Sequence, residues 1–157
     1  MTPLSFRLAV AADHPKIEEM VIASFEPITW FKKLDARMGP LNGMDWRSRW
    51  QDRLRTVFAT EIILVGETEG QLAAMSSGTL NPGPALAYID LLAVDKGMQG
   101  RGYGRDMLRA MMQHMKGLGA QYVYLNCLTD NDVGNALYRA EGFENVGAEI
   151  HWFRKIP

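Results

Sequence analysis

Residues 88–104, YIDLLAVDKGMQGRGYG, constrain the fold more than any other stretch of the chain. An apolar run over 89–94, interrupted by Asp90, is followed by a short polar loop and then by Gln99-Gly100-Arg101-Gly102-Tyr103-Gly104. Directly after it, Met107, Leu108, Met111, Met112, Met115 and Leu118 recur at helical spacing. The order is strand, glycine-rich turn, helix. Glycines at alternate positions let a backbone curl closely around a ligand, because no Cβ stands in the way. The first turn of the following helix offers unpaired N–H groups and the positive end of the helix dipole, a seat for a phosphate. Arg101 and Arg105 add positive charge. These residues predict a phosphate-bearing ligand held mainly by backbone amides.

Spacing narrows the choice of ligand. A dinucleotide fingerprint needs glycine where Arg105 stands, and a Walker-type loop needs a Gly-Lys-Ser/Thr that is absent. The pattern present is Gln/Arg-x-x-Gly-x-Gly, met by Gln99, Gly102 and Gly104 after the strand end Leu92-Ala93-Val94. A second pattern lies one strand and one helix further on. Asn131, Leu137, Tyr138, Gly142 and Phe143 match N-x-x-A-x-x-L-Y-x-x-x-G-F, with Gly134 in place of alanine.

Together the two patterns resemble the GNAT superfamily of acyl-CoA-dependent N-acyltransferases, over roughly residues 85–146. The resemblance implies an α+β fold, an α/β/α sandwich. Its sheet would be mixed, mostly antiparallel, twisted and six- to seven-stranded, flanked by about four to five helices. It also implies a splay between two central parallel strands, and one domain over 1–157. The implied co-substrate is acetyl-CoA or another acyl-CoA. Its pyrophosphate would lie on Gln99, Gly100, Arg101, Gly102, Tyr103, Gly104 and Arg105, and its pantetheine along Leu92, Ala93 and Val94. Asn131, Asn135 and Tyr138 would complete the cofactor site. The Val94 N–H would then be a donor to the thioester oxygen, and Tyr138 a proton donor to the leaving thiolate. The implied activity is direct acetyl transfer to a primary amine. The alternative is a non-catalytic acyl-CoA-binding sensor or interaction module.

The residues add candidates of their own. Asp90 breaks an apolar strand near the expected reacting centre, as a base, an amine-binding charge or a solvated residue; Tyr88 shares its face. Glu61, Glu149 and His151 are weaker candidates. Trp30, Phe31 and Trp46 could line the acceptor pocket or belong to the core. Cys127, the single cysteine, reads as a small buried hydrophobe; no disulfide framework or metal-site spacing exists.

The rest of the chain reads as strands over 5–11, 61–66, 71–79, 85–94 and 122–127, with terminal strands over 143–146 and 149–154. Helices are expected after Asp13 as N-cap, from Trp30, after Asp45 as N-cap, after Gly104 and from Asn131. The 85–94 and 122–127 strands, joined through a helix, should run parallel, and the strands before them should form an antiparallel meander. Arg47, Arg49, Arg53 and Arg55 on the third helix could form a basic face. With 17 basic against 18 acidic residues in 157, no bulk charge points to nucleic acid or an anionic membrane. The absence of a long apolar run or leader pattern leads to the expectation of a cytoplasmic protein without a membrane partner. Homodimerisation stays open.

Overall fold

The computed structural model describes residues 2–157 and divides into two compact units, residues up to Asn126 and Cys127–Pro157. In the first, five strands stand in the order β1 (Ser5–Leu8), β2 (Ile62–Thr68), β3 (Gln71–Asn81), β4 (Leu86–Val94) and β5 (Tyr122–Tyr124). The first four are antiparallel neighbours and β5 is parallel to β4, as the connections predict.

Helix α1 (His14–Phe25) lies against the sheet through Ile17, Met20 and Val21, spaced three and four apart on one face. Helix α3 (Trp46–Thr60) adds Trp50, Leu54 and Val57 to the same core, which they share with Ile63, Val65, Met75, Leu91 and Ala93 of the sheet. Helix α4 (Tyr103–Gly117) covers the opposite face with Tyr103, Met107, Leu108, Met111 and Met115, all buried. A Cβ on Gly66, which alternates with Val65, would meet the Met107 sulfur at 3.4 Å. Helix α2 (Trp30–Met38) is tied to α3 by the Trp50 Nε1–H, which donates to Thr29 Oγ1 at 2.9 Å.

In the second unit, α5 (Asp132–Ala140) is capped at both ends by the motif that predicted it. Asn131 Oδ1 accepts from the Gly134 N–H at 3.1 Å. At the other end Gly142 is left-handed (φ 88°), the Phe143 N–H donates to Tyr138 O at 3.0 Å, and the Gly142 N–H donates to Arg139 O. That is a Schellman cap, sealed by an edge-on contact between the Tyr138 and Phe143 rings. Gly134 also has a local reason: a Cβ there would sit 2.7 Å from the capping Asn131 amide and 3.1 Å from Cys127 Sγ.

Three expectations need correction. Residues 143–154 form no strands; an Asn145 turn closes on the Gly147 N–H as anticipated, but Val146, Ile150 and Trp152 are exposed. Their alternation satisfies the strand period without supplying a surface to cover, and an uncovered hairpin is marginal. The sheet among the described residues therefore has five strands, and the parallel pair lies at its edge. Asp13 precedes α1, yet its side chain does not cap it. The Arg7 guanidinium and the Val10 N–H take the carboxylate instead, and Arg7 holds it down to about 2. The basic residues of α3 do not form one solvated face. Arg49 is ion-paired with Asp35 and Arg53 with Asp90, both partly buried.

Candidate functional site

Strand β4 carries the features that matter. It pairs with β5 only at Leu86, Ala87 and Tyr88, then runs on to Val94 with no strand on that side among the described residues. The Asp95 N–H donates to Ala73 O at 2.8 Å, within a register that sets Ala74 opposite Val94. Antiparallel alternation then turns the amides of Leu91 and Ala93 toward β3 and those of Leu92 and Val94 toward the open edge. The Val94 carbonyl accepts there from Ser24 Oγ (2.7 Å) and Gln99 Nε2 (3.4 Å).

The glycine loop follows directly. Asp95 caps a 3₁₀ turn over Lys96–Met98 by accepting from the Gly97 N–H, and Lys16 Nζ holds its other oxygen at 2.9 Å. Gly100 and Gly102 have φ of 80° and 81°, and a Cβ on either would meet nothing within 4 Å. Their glycine requirement is thus conformational, and the surface they present is open. Gly102 is the N-cap of α4; the first helical bond runs from the Asp106 N–H to Gly102 O. The N–H groups of Tyr103 and Gly104 therefore have no partner within the helix. This fits a diphosphate at the carboxyl end of β4. Gln99, Gly100, Arg101, Gly102 and Arg105 are exposed, whereas the Tyr103 side chain is buried and donates through its hydroxyl to Thr2 O (2.7 Å). Tyr103 can serve a ligand only through its amide.

Where β5 parts from β4, the strand is bulged. Ser77 stands opposite Leu91 and Gly78 opposite Ile89, so Asp90 is the extra residue. Gly78 permits it, since a Cβ there would lie 2.1 Å from the Tyr88 carbonyl oxygen. The Asp90 side chain is only 8% exposed, which removes the solvated alternative. Its Oδ1 accepts from Arg53, whose guanidinium also stacks over Trp50 at 4.8 Å. Phe31 packs on Trp50, and Trp30 meets Phe31 edge-on. A continuous line of contacts thus links the aromatic segment to Asp90, with Phe31 in the core stack and Trp30 half-buried at its end.

Tyr88 lies against Tyr124, ring centroids 4.7 Å apart, and its hydroxyl pKa is raised by burial and by Asp90. Glu61, at the junction of α3 and β2, joins this group. Burial, then the adjacent Asp90 carboxyl, push it from 4.5 up to about 7. Arg53, Ser77 and the strength of Glu61 are what sequence reasoning missed. Each comes from a different element than Asp90, Arg53 from as far as 37 positions away along the chain, and no local pattern joins them.

In the second unit, Asn135 Nδ2 donates to Leu128 O at 2.9 Å. Burial pushes the Tyr138 phenol up to about 12, so it remains a hydrogen-bond donor. Burial also raises the Cys127 thiol, in keeping with a packed rather than nucleophilic cysteine. Glu149 and His151 are exposed. Among the described residues no group of three or more His, Cys, Asp or Glu could hold a metal, and no helix is long and apolar enough to cross a membrane.

The chain is 41% identical over 72 residues to the N-alpha-acetyltransferase RimI of Mycobacterium tuberculosis, a match covering 45% of this chain and 44% of that protein. The curated relatives it matches are thus spanned over less than half their length. Among solved structures, an aminoglycoside antibiotic 6'-N-acetyltransferase from Acinetobacter haemolyticus superposes with a TM-score of 0.68 at 14% identity, covering 98% of this chain and 99% of that one. An aminoglycoside N-acetyltransferase in complex with CoA gives 0.69 at 9% identity, covering 99% and 97%. At such identities these likenesses speak for the fold. The family model described as acetyltransferase (GNAT) matches residues 30–143, and with that the chain belongs to the GNAT acetyltransferase family.

Proposed function

We infer that the protein is an N-acetyltransferase, moving an acetyl group from acetyl-CoA to a primary amine by direct attack within a ternary complex. The observation that carries this is β4: outward amides at Leu92 and Val94 on an uncovered edge, ending in a glycine loop open to a diphosphate. In this reading the loop amides and Arg101 grip the diphosphate, and the Val94 N–H donates to the thioester oxygen, stabilising charge that develops there. Tyr138 donates a proton to the departing thiolate. Asn131 and Asn135 belong to the cofactor side.

Asp90 and Tyr88 face the acceptor, with Trp30 and Phe31 on its wall; holding both substrates in contact supplies much of the acceleration. Nucleic acid is not the expected partner, since Arg49 and Arg53 of the basic helix are committed to Asp35 and Asp90. We place this activity in one cytoplasmic domain spanning 1–157.

The test combines calorimetry with a thiol-release assay. Micromolar binding of acetyl-CoA is expected, with transfer to one class in a panel holding an aminoglycoside, a peptide with a free N-terminus and a polyamine. No binding would refute the assignment. Binding with no transfer to any amine would make the protein a sensor instead.

A further inference from the structure

Glu61 has no part in the transfer as just described, yet its surroundings differ from those of a surface carboxylate. It ends α3, its N–H donating to Val57 O at 2.9 Å, and stands immediately before β2. Ile63 is opposite Ser77, and Ser77 is opposite Leu91. Strand alternation therefore places Glu61, two residues before Ile63, on the same sheet face as Ser77 and the Asp90 bulge. Glu61 Oε1 and Ser77 Oγ are both buried without a hydrogen-bond partner among the described residues.

The neighbour of Glu61 is Asp90, another carboxyl. Two carboxylate oxygens cannot bond unless a proton lies between them, so an orphaned acceptor beside a second acceptor marks a place for a proton. Arg53, fixed over Trp50, donates to Asp90 Oδ1, whereas Glu61 Oε1 has no such donor. The mobile proton is thereby assigned to Glu61. The groups facing it are Arg53 from α3, Ser77 from β3, and Asp90 and Tyr88 from β4, with Tyr124 of β5 beyond Tyr88.

We propose that Glu61 is the proton acceptor of the reaction, taking a proton from the ammonium nitrogen of the acceptor amine while Asp90 and Arg53 act as positioning residues. This rests on the acetyl-transfer reading. An N–H bond of the ammonium breaks and the carboxyl O–H bond forms. The freed amine attacks the thioester carbon; its C–N bond forms as the C–S bond breaks. The surplus proton of the new amide nitrogen passes through water to restore the Tyr138 phenol, whose own proton went to the thiolate, and Glu61 returns its proton to water before the next turnover. A carboxyl near neutrality suits this role, being ionised at working pH yet more basic than an exposed one.

The experiment is the pH profile of kcat/KM for acetyl-CoA and the best amine of the panel, with carbon-13 NMR of the Glu61 carboxyl in the substrate-free protein. Wild type should show a rising limb near pH 7. Glu61→Gln should lose about 100-fold or more at pH 7 together with the limb, and Glu61→Asp should restore a limb. Asp90→Asn should move the limb about one pH unit toward acid by removing the adjacent charge. An unchanged limb in Glu61→Gln, or a carboxyl titrating near its ordinary 4.5, overturns the proposal. If wild type acetylates nothing, the transferase reading fails, and the NMR titration alone decides whether Glu61 holds a proton at neutral pH.

Discussion

Glu61→Gln should stabilise the protein, and only at neutral and alkaline pH. Glu61 is half-buried, and its folded pKa lies near 7 against an ordinary 4.5. Between those values the folded state binds more protons than the unfolded chain, so stability falls as pH rises through the window. At 1.36 kcal/mol per tenfold change in proton affinity, the ceiling is about 3 kcal/mol. Solvent screening at a half-buried group reduces this to about 1–2 kcal/mol. Glutamine removes the charge and offers Asp90 a permanent N–H where glutamic acid offers an O–H only when protonated. Urea unfolding at pH 8 should therefore show Glu61→Gln about 1–2 kcal/mol more stable than wild type, or roughly 2–8 °C higher in melting temperature for a chain of this size. At pH 4.5 the two should coincide within about 0.5 kcal/mol. A difference between the two proteins that is independent of pH would refute the buried carboxyl pair, whatever the fate of activity.

Three further outcomes follow from the geometry. Gly78→Ala puts a Cβ 2.1 Å from the Tyr88 carbonyl oxygen and should cost about 1–3 kcal/mol in urea unfolding while reducing turnover through the displaced bulge; full tolerance would deny the close approach. Tyr138→Phe keeps the ring contact with Phe143 and the Schellman cap, so thermal stability and acetyl-CoA affinity should hold while kcat falls by about tenfold or more. A loss of affinity with kcat intact would assign the tyrosine to packing. Gly102→Ala forces a side chain into a left-handed residue at no steric contact and should weaken acetyl-CoA about tenfold in calorimetry, the equivalent of about 1–2 kcal/mol of backbone strain.

The parts of the fold legible in the sequence are those written locally. The loop glycines announce a turn because their φ angles need no neighbour to explain them. The Tyr138–Gly142–Phe143 spacing announces a helix end because the Schellman cap is made within about six residues. The parallel pairing of β4 with β5 follows from the crossover alone. What stayed hidden depends on a second strand or helix. The bulge at Asp90 exists because Gly78, on the neighbouring strand, lets the Tyr88 carbonyl come close. Asp13 carries the composition of a cap, but Arg7 on β1 competes for its carboxylate and wins through two hydrogen bonds. The terminal segments show the converse error: Val146, Ile150 and Trp152 alternate like a strand where no ladder forms. Period alone cannot supply a partner.

Asp90 shows why the site reads better as function than as structure. A strictly alternating strand would set Asp90 with Leu92 and Val94, on the face opposite Leu91 and Ala93. The extra residue instead lets Asp90 share with Tyr88, Leu91 and Ala93 the face covered by α1 and α3. There it requires Arg53, and Arg53 requires Trp50 to steady it. Desolvating such a pair recovers little stability, and an apolar residue at Asp90 would fill the same space without needing a counter-ion. A second carboxyl, Glu61, beside the first makes the cluster less stable still at neutral pH. The fold tolerates a bulge, a glycine without substitute and two orphaned polar atoms at the point where β4 loses its parallel neighbour. A buried carboxyl pair on a bulge where the sheet opens is what the proposed proton transfer would use, and an apolar residue in its place would pack without it.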